Sequence, residues 1–118
     1  MVAKLVEKAR IVNGIQIIEY RGHCKPEIAK NLAFAVRRLS ADHTAFLGAT
    51  QDSNGKPLLT VMLTEDIVKS GLNASQIVRE AAKAIKGGGG GQPGFAQAGG
   101  KDSEGLNAAA DSMIANFK

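Results

Sequence analysis

The stretch GGGGGQPGFAQAGG, residues 87–100, holds eight of the fourteen glycines of this 118-residue chain. One interpretation is a flexible linker, but such linkers usually alternate glycine with serine or threonine and lead into a separate domain. This stretch contains neither, and the single helical pattern that follows is too short to fold alone. Pro93, Phe95 and Ala96 also interrupt the glycines. We therefore expect a defined backbone path.

Two nucleotide-binding motifs can be compared directly with the stretch. A P-loop needs a glycine, four further residues and then Gly-Lys-Ser/Thr. Here Asp102 follows Gly100-Lys101, and Phe95 stands where the first glycine belongs. A dinucleotide fingerprint places its glycines between a strand and the next helix, whereas these glycines follow a helical pattern. The stretch therefore does not match a P-loop and matches a dinucleotide fingerprint poorly.

A backbone contact with phosphate is still compatible with the stretch. Consecutive glycines expose N–H groups without a Cβ to hold a ligand away, and they permit the angles of an anion nest. Gly99-Gly100 leads into a helix start, where N–H groups favour an anion. Lys101 adds a positive charge there, which Asp102 partly opposes. Phosphate contact and close packing of the last helix on the sheet both remain open.

Helical and strand patterns alternate before the glycines. Residues 2–10 have helical spacing with an apolar stripe already running, which suggests the tail of a longer helix. Asn13-Gly14 ends it, and residues 15–20 predict a strand. A helix is expected from Pro26. Its predicted buried face comprises Ile28, Leu32, Ala35, Val36 and Leu39.

Two further strands and two further helices complete the pattern. Residues 43–50 and 57–64 are rich in strand formers, and 52–55 (DSNG) carry a hairpin signal. Asn73 is expected to cap the next helix and Gly87 to end it. The predicted buried residues are Ile77, Val78, Ala81 and Ile85 in that helix, and Leu106, Ala109, Ala110, Met113, Ile114 and Phe117 in the last one, residues 102–117.

The predicted fold class is α/β, a small mixed β-sheet with helices packed on it. The expected order is helix end, β, α, β, β, α, glycine loop, α, because a strand–helix–strand unit followed by a hairpin gives a mixed sheet. The net charge of +4 is compatible with a polyanionic partner. The lack of a signal peptide or a spanning apolar run, and the single Cys24, favour a cytoplasmic protein without membrane contact.

Catalytic patterns are weak. His23 and His43 lie far apart, and no Cys-x-x-Cys, His-x-x-x-His or paired-carboxylate pattern offers a metal site. We therefore expect neither an independent active site nor a cofactor in this chain.

Basic residues give some support to a nucleic-acid partner. Arg79, Lys83 and Lys86 are spaced i, i+4, i+7, opposite the predicted buried face. On the earlier helix Phe34 lies between Lys30 and Arg37, where it could stack on a nucleobase. It could equally pack on a neighbouring element.

The segment AAKAIKGGGGGQPGFAQAGGKD, residues 81–102, followed by an alanine-rich helix, resembles the C-terminal domain of alanyl-tRNA synthetases. This is the DHH-associated or C-Ala domain. Upstream, LVEKARIVNGIQII (5–18) is similar to its entering helix and first strand, and LSADHTAFLGATQDSNGKPLLTVMLTEDIV (39–68) to its central hairpin. The resemblance covers nearly the whole chain.

The resemblance implies a non-catalytic domain that binds the elbow of tRNA(Ala) and helps bring aminoacylation and editing to one tRNA. ATP and zinc are then expected only in other domains of an ATP-dependent alanine–tRNA ligase, which are further partners. It also implies that residues 1–12 are the end of a helical linker or oligomerisation region, through which a homodimer can form, and that residues 13–118 are the globular domain.

Two positions depart from the family pattern. Many relatives have a basic residue at Gln92 and an acidic one at Gly94, so backbone N–H groups and the cations of the preceding helix would bind more of the phosphate. The predicted nucleic-acid-binding residues are Arg79, Lys83, Lys86, Gly88, Gly89, Gly90, Gly91, Gln92, Gln97, Gly99, Gly100 and Lys101.

Three alternatives stay open beside this function. One is the substrate-binding C-terminal half of a DHH-family phosphoesterase, although such relatives often have a histidine at Gln92. Another is a structural or oligomerisation domain. A stand-alone alanyl-tRNA editing protein is a close variant of the tRNA-binding function.

Overall fold

The computed structural model describes residues 10–12, 14–23, 26–39, 43–51 and 55–117. The strands are β1 (Arg10–Val12), β2 (Ile15–His23), β3 (Thr44–Gln51), β4 (Pro57–Leu63), β5 (Gly88–Gln92) and β6 (Phe95–Gly99). The helices are α1 (Pro26–Leu39), α2 (Glu65–Lys69), α3 (Ala74–Ala82) and α4 (Leu106–Ala115), with 3-10 turns at Lys83–Ile85 and Ser103–Gly105. None of these helices is long and apolar enough to cross a bilayer.

The strands form one six-stranded sheet in the order β1-β2-β3-β4-β6-β5. β2 and β3 pair in parallel because α1 connects them, and the other neighbours pair antiparallel. The mixed sheet with packed helices is therefore confirmed.

Helices cover both faces of the sheet, and the alternation of strand side chains creates two cores. On one face Ile18, Phe46 and Met62 pack with the α1 residues Leu32, Ala33 and Val36. The other face packs against α3 and α4. Its buried residues include Ile17, Leu47, Val61, Ile77, Val78, Ala81, Ile85, Ala109, Ala110, Met113, Ile114 and Phe117, with Leu106 partly buried against them.

The glycine stretch, expected as a loop, is a β-hairpin, and that part of the predicted order is wrong. Glycine is depleted in strands, so a sequence rich in glycine predicts a loop. In the fold, β6 continues the sheet from β4, and β5 folds back on it through Pro93-Gly94. A Cβ at Gly89 or Gly91 would lie 2.5–2.6 Å from a carbonyl oxygen of β6. Glycine is therefore required where these two strands approach.

The last helix also depends on glycines for packing. A Cβ at Gly100 would collide with Ile85 O, and one at Gly105 would collide with Ala84 O. The 3-10 turn Lys83–Ile85 therefore lies directly against the backbone that leads into α4. The close-packing role that the sequence left open is confirmed for these glycines.

Several details of the predicted elements are corrected. The helical region was expected to reach residue 12, but Arg10–Val12 is a strand, because it pairs antiparallel with β2. The short helix α2 was not predicted. Ile28 is 43% exposed rather than buried. Residues 1–9, Cys24, most of the 52–55 hairpin signal and the side chains of His23 and Leu39 lie outside the described part of the chain.

Candidate nucleic-acid interface

Backbone hydrogen bonds fix helix α3 to the turn of the glycine hairpin. Asn73 caps α3, since its side chain accepts a bond of 3.2 Å from Gln76 N–H. Ala74 N–H donates to Pro93 O at 2.9 Å, and Leu63 N–H donates to Gly94 O at 2.9 Å. The turn is thus anchored to both α3 and β4, and β5 lies at a fixed place beside the helix.

Arg79 lies against the bare backbone of β5. A Cβ at Gly90 would be 3.4 Å from both Nε and Nη2 of Arg79 and 3.2 Å from Ser75 Oγ. Within the described ranges no carboxylate forms a salt bridge with Arg79. An exposed, unpaired guanidinium beside a strand without side chains is well suited to bind a phosphate.

Lys83 and Lys86 are also exposed, but the expected continuous α-helical stripe is wrong beyond Ala82. The chain tightens there into a 3-10 turn, and Lys86 ends it in the left-handed conformation with φ of 54°. Gly87, which was expected to end the helix, follows this turn and is required for close approach, because a Cβ there would collide with Gly99 O.

At Gly99-Gly100 and the following helix start, where the sequence left phosphate contact and packing open, several N–H groups bond within the chain. Gly100 N–H donates to Pro57 O, and the N–H groups of Lys101 and Asp102 both donate to Ile85 O. The Asp102 carboxylate itself accepts from Glu104 N–H at 3.1 Å. These donors are used to pack the chain, and the exposed side chain of Lys101 is available to a ligand here.

The remaining predicted residues lie along the hairpin. Gly88 is exposed and a Cβ there would meet no atom within 4 Å. Gln97 is half-buried and its Nε2 donates to Thr60 Oγ1 at 3.2 Å. Gln92 is exposed and lies directly opposite Phe95 in the register. Gln97, two residues after Phe95 in β6, therefore shares the face of Phe95, which is the α1 side of the sheet.

Phe34 packs on a neighbouring element, which confirms one of its two predicted roles. Its ring stacks on Phe95 of β6 with centroids 4.9 Å apart and planes inclined by 21°. Lys30 Nζ lies 6.0 Å from the centroid of the Phe34 ring. The cations of α1 and those of α3 are thus on opposite faces of the sheet, which the sequence did not indicate.

An open groove of about 620 Å³ lies between the α2–α3 connection and the hairpin turn. Sequence reasoning missed it because its walls come from three separate segments. Its lining residues are Val68, Gly71, Leu72, Asn73, Ser75, Gln76, Arg79, Gly91 and Pro93.

His43 and Asp66 form a pair that the sequence also did not reveal. His43 Nδ1 lies 3.0 Å from the Asp66 carboxylate, which also accepts from His43 N–H. Thr64 Oγ1 donates to Asp66 at 2.6 Å, and this bond is the main reason that the pKa of Asp66 is lowered. In the described ranges no group of three His, Cys, Asp or Glu residues could hold a metal. Asp66 lies in the first turn of α2, so its bonds join that turn to His43.

We expect Asp66→Ala to lower the free energy of unfolding by at least about 1 kcal/mol at neutral pH, the net contribution of a typical hydrogen bond, because the carboxylate accepts from both His43 N–H and Thr64 Oγ1. Because the pKa of Asp66 is lower when folded, its contribution is present above the ordinary value of 3.8 and is lost as pH falls through the folded pKa. Urea unfolding at pH 7 and pH 2.5 tests this. An equal difference between wild type and variant at both pH values would contradict it.

These features define an α/β domain in which a glycine-built strand, at the edge of the described sheet, lies beside an exposed arginine. The DHHA1 domain model matches residues 13–118, and the chain belongs to this family. It is 44% identical over 111 residues to the alanine–tRNA ligase of Bacteroides thetaiotaomicron, covering 94% of this chain and 13% of the relative. The ligase of Parabacteroides distasonis is 46% identical over 106 residues, covering 90% and 12%.

Solved structures show the same architecture. The C-Ala domain from Aquifex aeolicus alanyl-tRNA synthetase matches with a TM-score of 0.81 and 25% identity, covering 93% of this chain and 97% of that one. The resemblance to C-Ala domains is therefore confirmed. A DHH-domain member of the s1p family of ribosomal proteins matches at a TM-score of 0.61 and 13% identity, covering 99% and 30%. That likeness concerns the fold alone.

Proposed function

We propose that this chain is a tRNA-binding domain of an alanine–tRNA ligase that contacts the elbow of tRNA(Ala). The observation that carries the proposal is the exposed Arg79 guanidinium beside Gly90, which forms no salt bridge with a carboxylate of the described residues, together with exposed Lys83 and Lys86 beyond it. Phosphate contacts of this kind give affinity and orientation without reading sequence. The relatives named alanine–tRNA ligase support tRNA as the polyanion.

The chain spans 13% of the length of the first of these relatives. What the whole enzyme does is therefore part of the proposal. We propose that the enzyme acts in the cytoplasm and that its other domains perform the ATP-dependent ligation and hold zinc. This domain then has no catalytic role. It helps to couple aminoacylation with editing by holding the tRNA corner. A homodimer forms through residues 1–12.

The test compares three ligands over a salt series: tRNA(Ala), a pair of minihelices that form only the elbow, and duplex DNA. We expect micromolar binding of tRNA(Ala) and of the elbow pair, and weaker binding of DNA. Each phosphate contact contributes roughly 0.7–0.9 to the slope of log affinity against log salt. Equal binding of all three ligands, or none at low salt, would refute the proposal and favour a structural domain.

A further inference from the structure

We propose that Phe34, stacked on Phe95, is a nucleobase-stacking site for an unpaired base of the bound RNA, an inference that rests on the function proposed above. The site lies on the α1 face of the sheet, whereas Arg79 lies on the α3 face. It therefore adds a second contact of different chemistry on the other side of the glycine hairpin.

The position of Phe95 follows from the register of the sheet. Ile18, Phe46, Met62 and Phe95 lie side by side across β2, β3, β4 and β6. The first three are fully buried under α1, while Phe95 is half-buried. Gln92 follows in the edge strand and is exposed. Phe95 is thus the outer end of an apolar row that the helix does not fully cover.

Phe34 is half-buried and extends this row beyond Phe95. It belongs to neither of the two buried clusters, whereas Phe95 packs against one of them. The distance of 4.9 Å and angle of 21° correspond to an offset stack of two rings. Because nucleobases stack on aromatic side chains in a sequence-tolerant way, a base can continue such a stack.

The charges around the ring favour a nucleic acid over an apolar partner. Lys30 Nζ, 6.0 Å from the Phe34 centroid, is at the outer limit of a cation–π contact, so little is lost when it turns to a phosphate. Arg37 and Arg38 are exposed on the same helix, and Glu27 is its one acidic residue. Helix α1 therefore carries a positive surface beside the aromatic stack.

The hairpin connects this site with the proposed phosphate site. Gln92 and Phe95 are directly opposite each other, and Gly90, two residues before Gln92, lies beside the Arg79 guanidinium. β5 is the edge of the described sheet and its glycines have no side chains to obstruct a ligand. An RNA strand that crosses this edge can place a phosphate near Arg79 and an unpaired base on Phe34.

A fluorescence experiment reads the stacking directly, because the chain contains no tryptophan. Phe34→Trp introduces one indole that retains the aromatic stack. We expect tRNA(Ala) to quench its emission by more than half, while polyphosphate, which has charge but no bases, does not. The matched control is Ile28→Trp on the same helix, where the side chain is 43% exposed. Its emission is expected to change little.

A second variant, Phe34→Leu, retains apolar bulk but removes the ring. We expect its affinity for tRNA(Ala) to fall by about tenfold, the effect of losing one base–aromatic stack. Normal affinity of this variant together with an unquenched Phe34→Trp would overturn the stacking site and leave tRNA binding intact. Failure of the wild-type chain to bind tRNA would instead refute the proposed function, and the stacking site with it. If Phe34→Leu does not fold, the quenching result alone decides.

Discussion

Gly89→Ala is expected to lower the free energy of unfolding by about 3 kcal/mol, at the upper end of what overpacking costs. The new Cβ would lie 2.5 Å from Gln97 O and 2.6 Å from Ala98 Cα, so β5 and β6 would have to separate. The neighbouring Gly88→Ala is the matched control, because its Cβ would meet no atom within 4 Å. For it we expect a change within about 0.5 kcal/mol.

Chemical denaturation of the two variants distinguishes the two roles of the glycine run. Equal stability of Gly89→Ala and Gly88→Ala would contradict the packing role and leave ligand approach as the reason for the glycines. Binding of tRNA by the stable Gly88→Ala variant adds a second readout. If Gly88→Ala binds tRNA more weakly than the wild type but is equally stable, RNA approaches the backbone of this strand.

The sequence predicts the sheet class and most of the buried faces because both follow from local periodicity. The α3 helix is an example: Asn73 caps it, and Ile77, Val78 and Ala81 are buried as predicted. The exposed Arg79, Lys83 and Lys86 are also correctly placed on the surface. Each of these predictions depends on residues within a few positions of one another.

The glycine hairpin could not be predicted in this way. Five consecutive glycines have no alternating pattern, and their strand conformation depends on pairing with β6, which depends in turn on β4. β1 and α2, of three and five residues, are too short for a periodic signal. Their formation depends on tertiary contacts, such as the pairing of β1 with β2.

The candidate site was predicted only in part for the same reason. The cations of α1 and α3 look equivalent in the sequence, but the sheet separates them onto opposite faces. The Phe34–Phe95 stack and the contact of Arg79 with Gly90 join residues from different elements. Conversely, the sequence could not show that N–H groups after Gly99 bond to Pro57 O and Ile85 O, which are distant in the chain.

Removing two cations from the α3 side is expected to have the largest effect on binding. For the double variant Arg79→Ala/Lys83→Ala we expect about 30-fold weaker binding of tRNA(Ala), if each contact contributes about 1 kcal/mol. Both side chains are exposed, so stability should change little. Lys69→Ala is the control, because it also removes an exposed lysine, one that pairs with Glu65 at 3.5 Å. We expect nearly normal affinity for it.

The salt dependence of tRNA(Ala) binding, measured for the wild type and the Arg79→Ala/Lys83→Ala variant, tests the phosphate-binding role of the α3 side most directly. If these two side chains neutralise RNA phosphates, the slope of log affinity against log salt decreases in the variant by roughly 1.4–1.8. Lys69→Ala retains the wild-type slope. An unchanged slope in the double variant would contradict the account, because the tRNA would then bind to another surface of the domain.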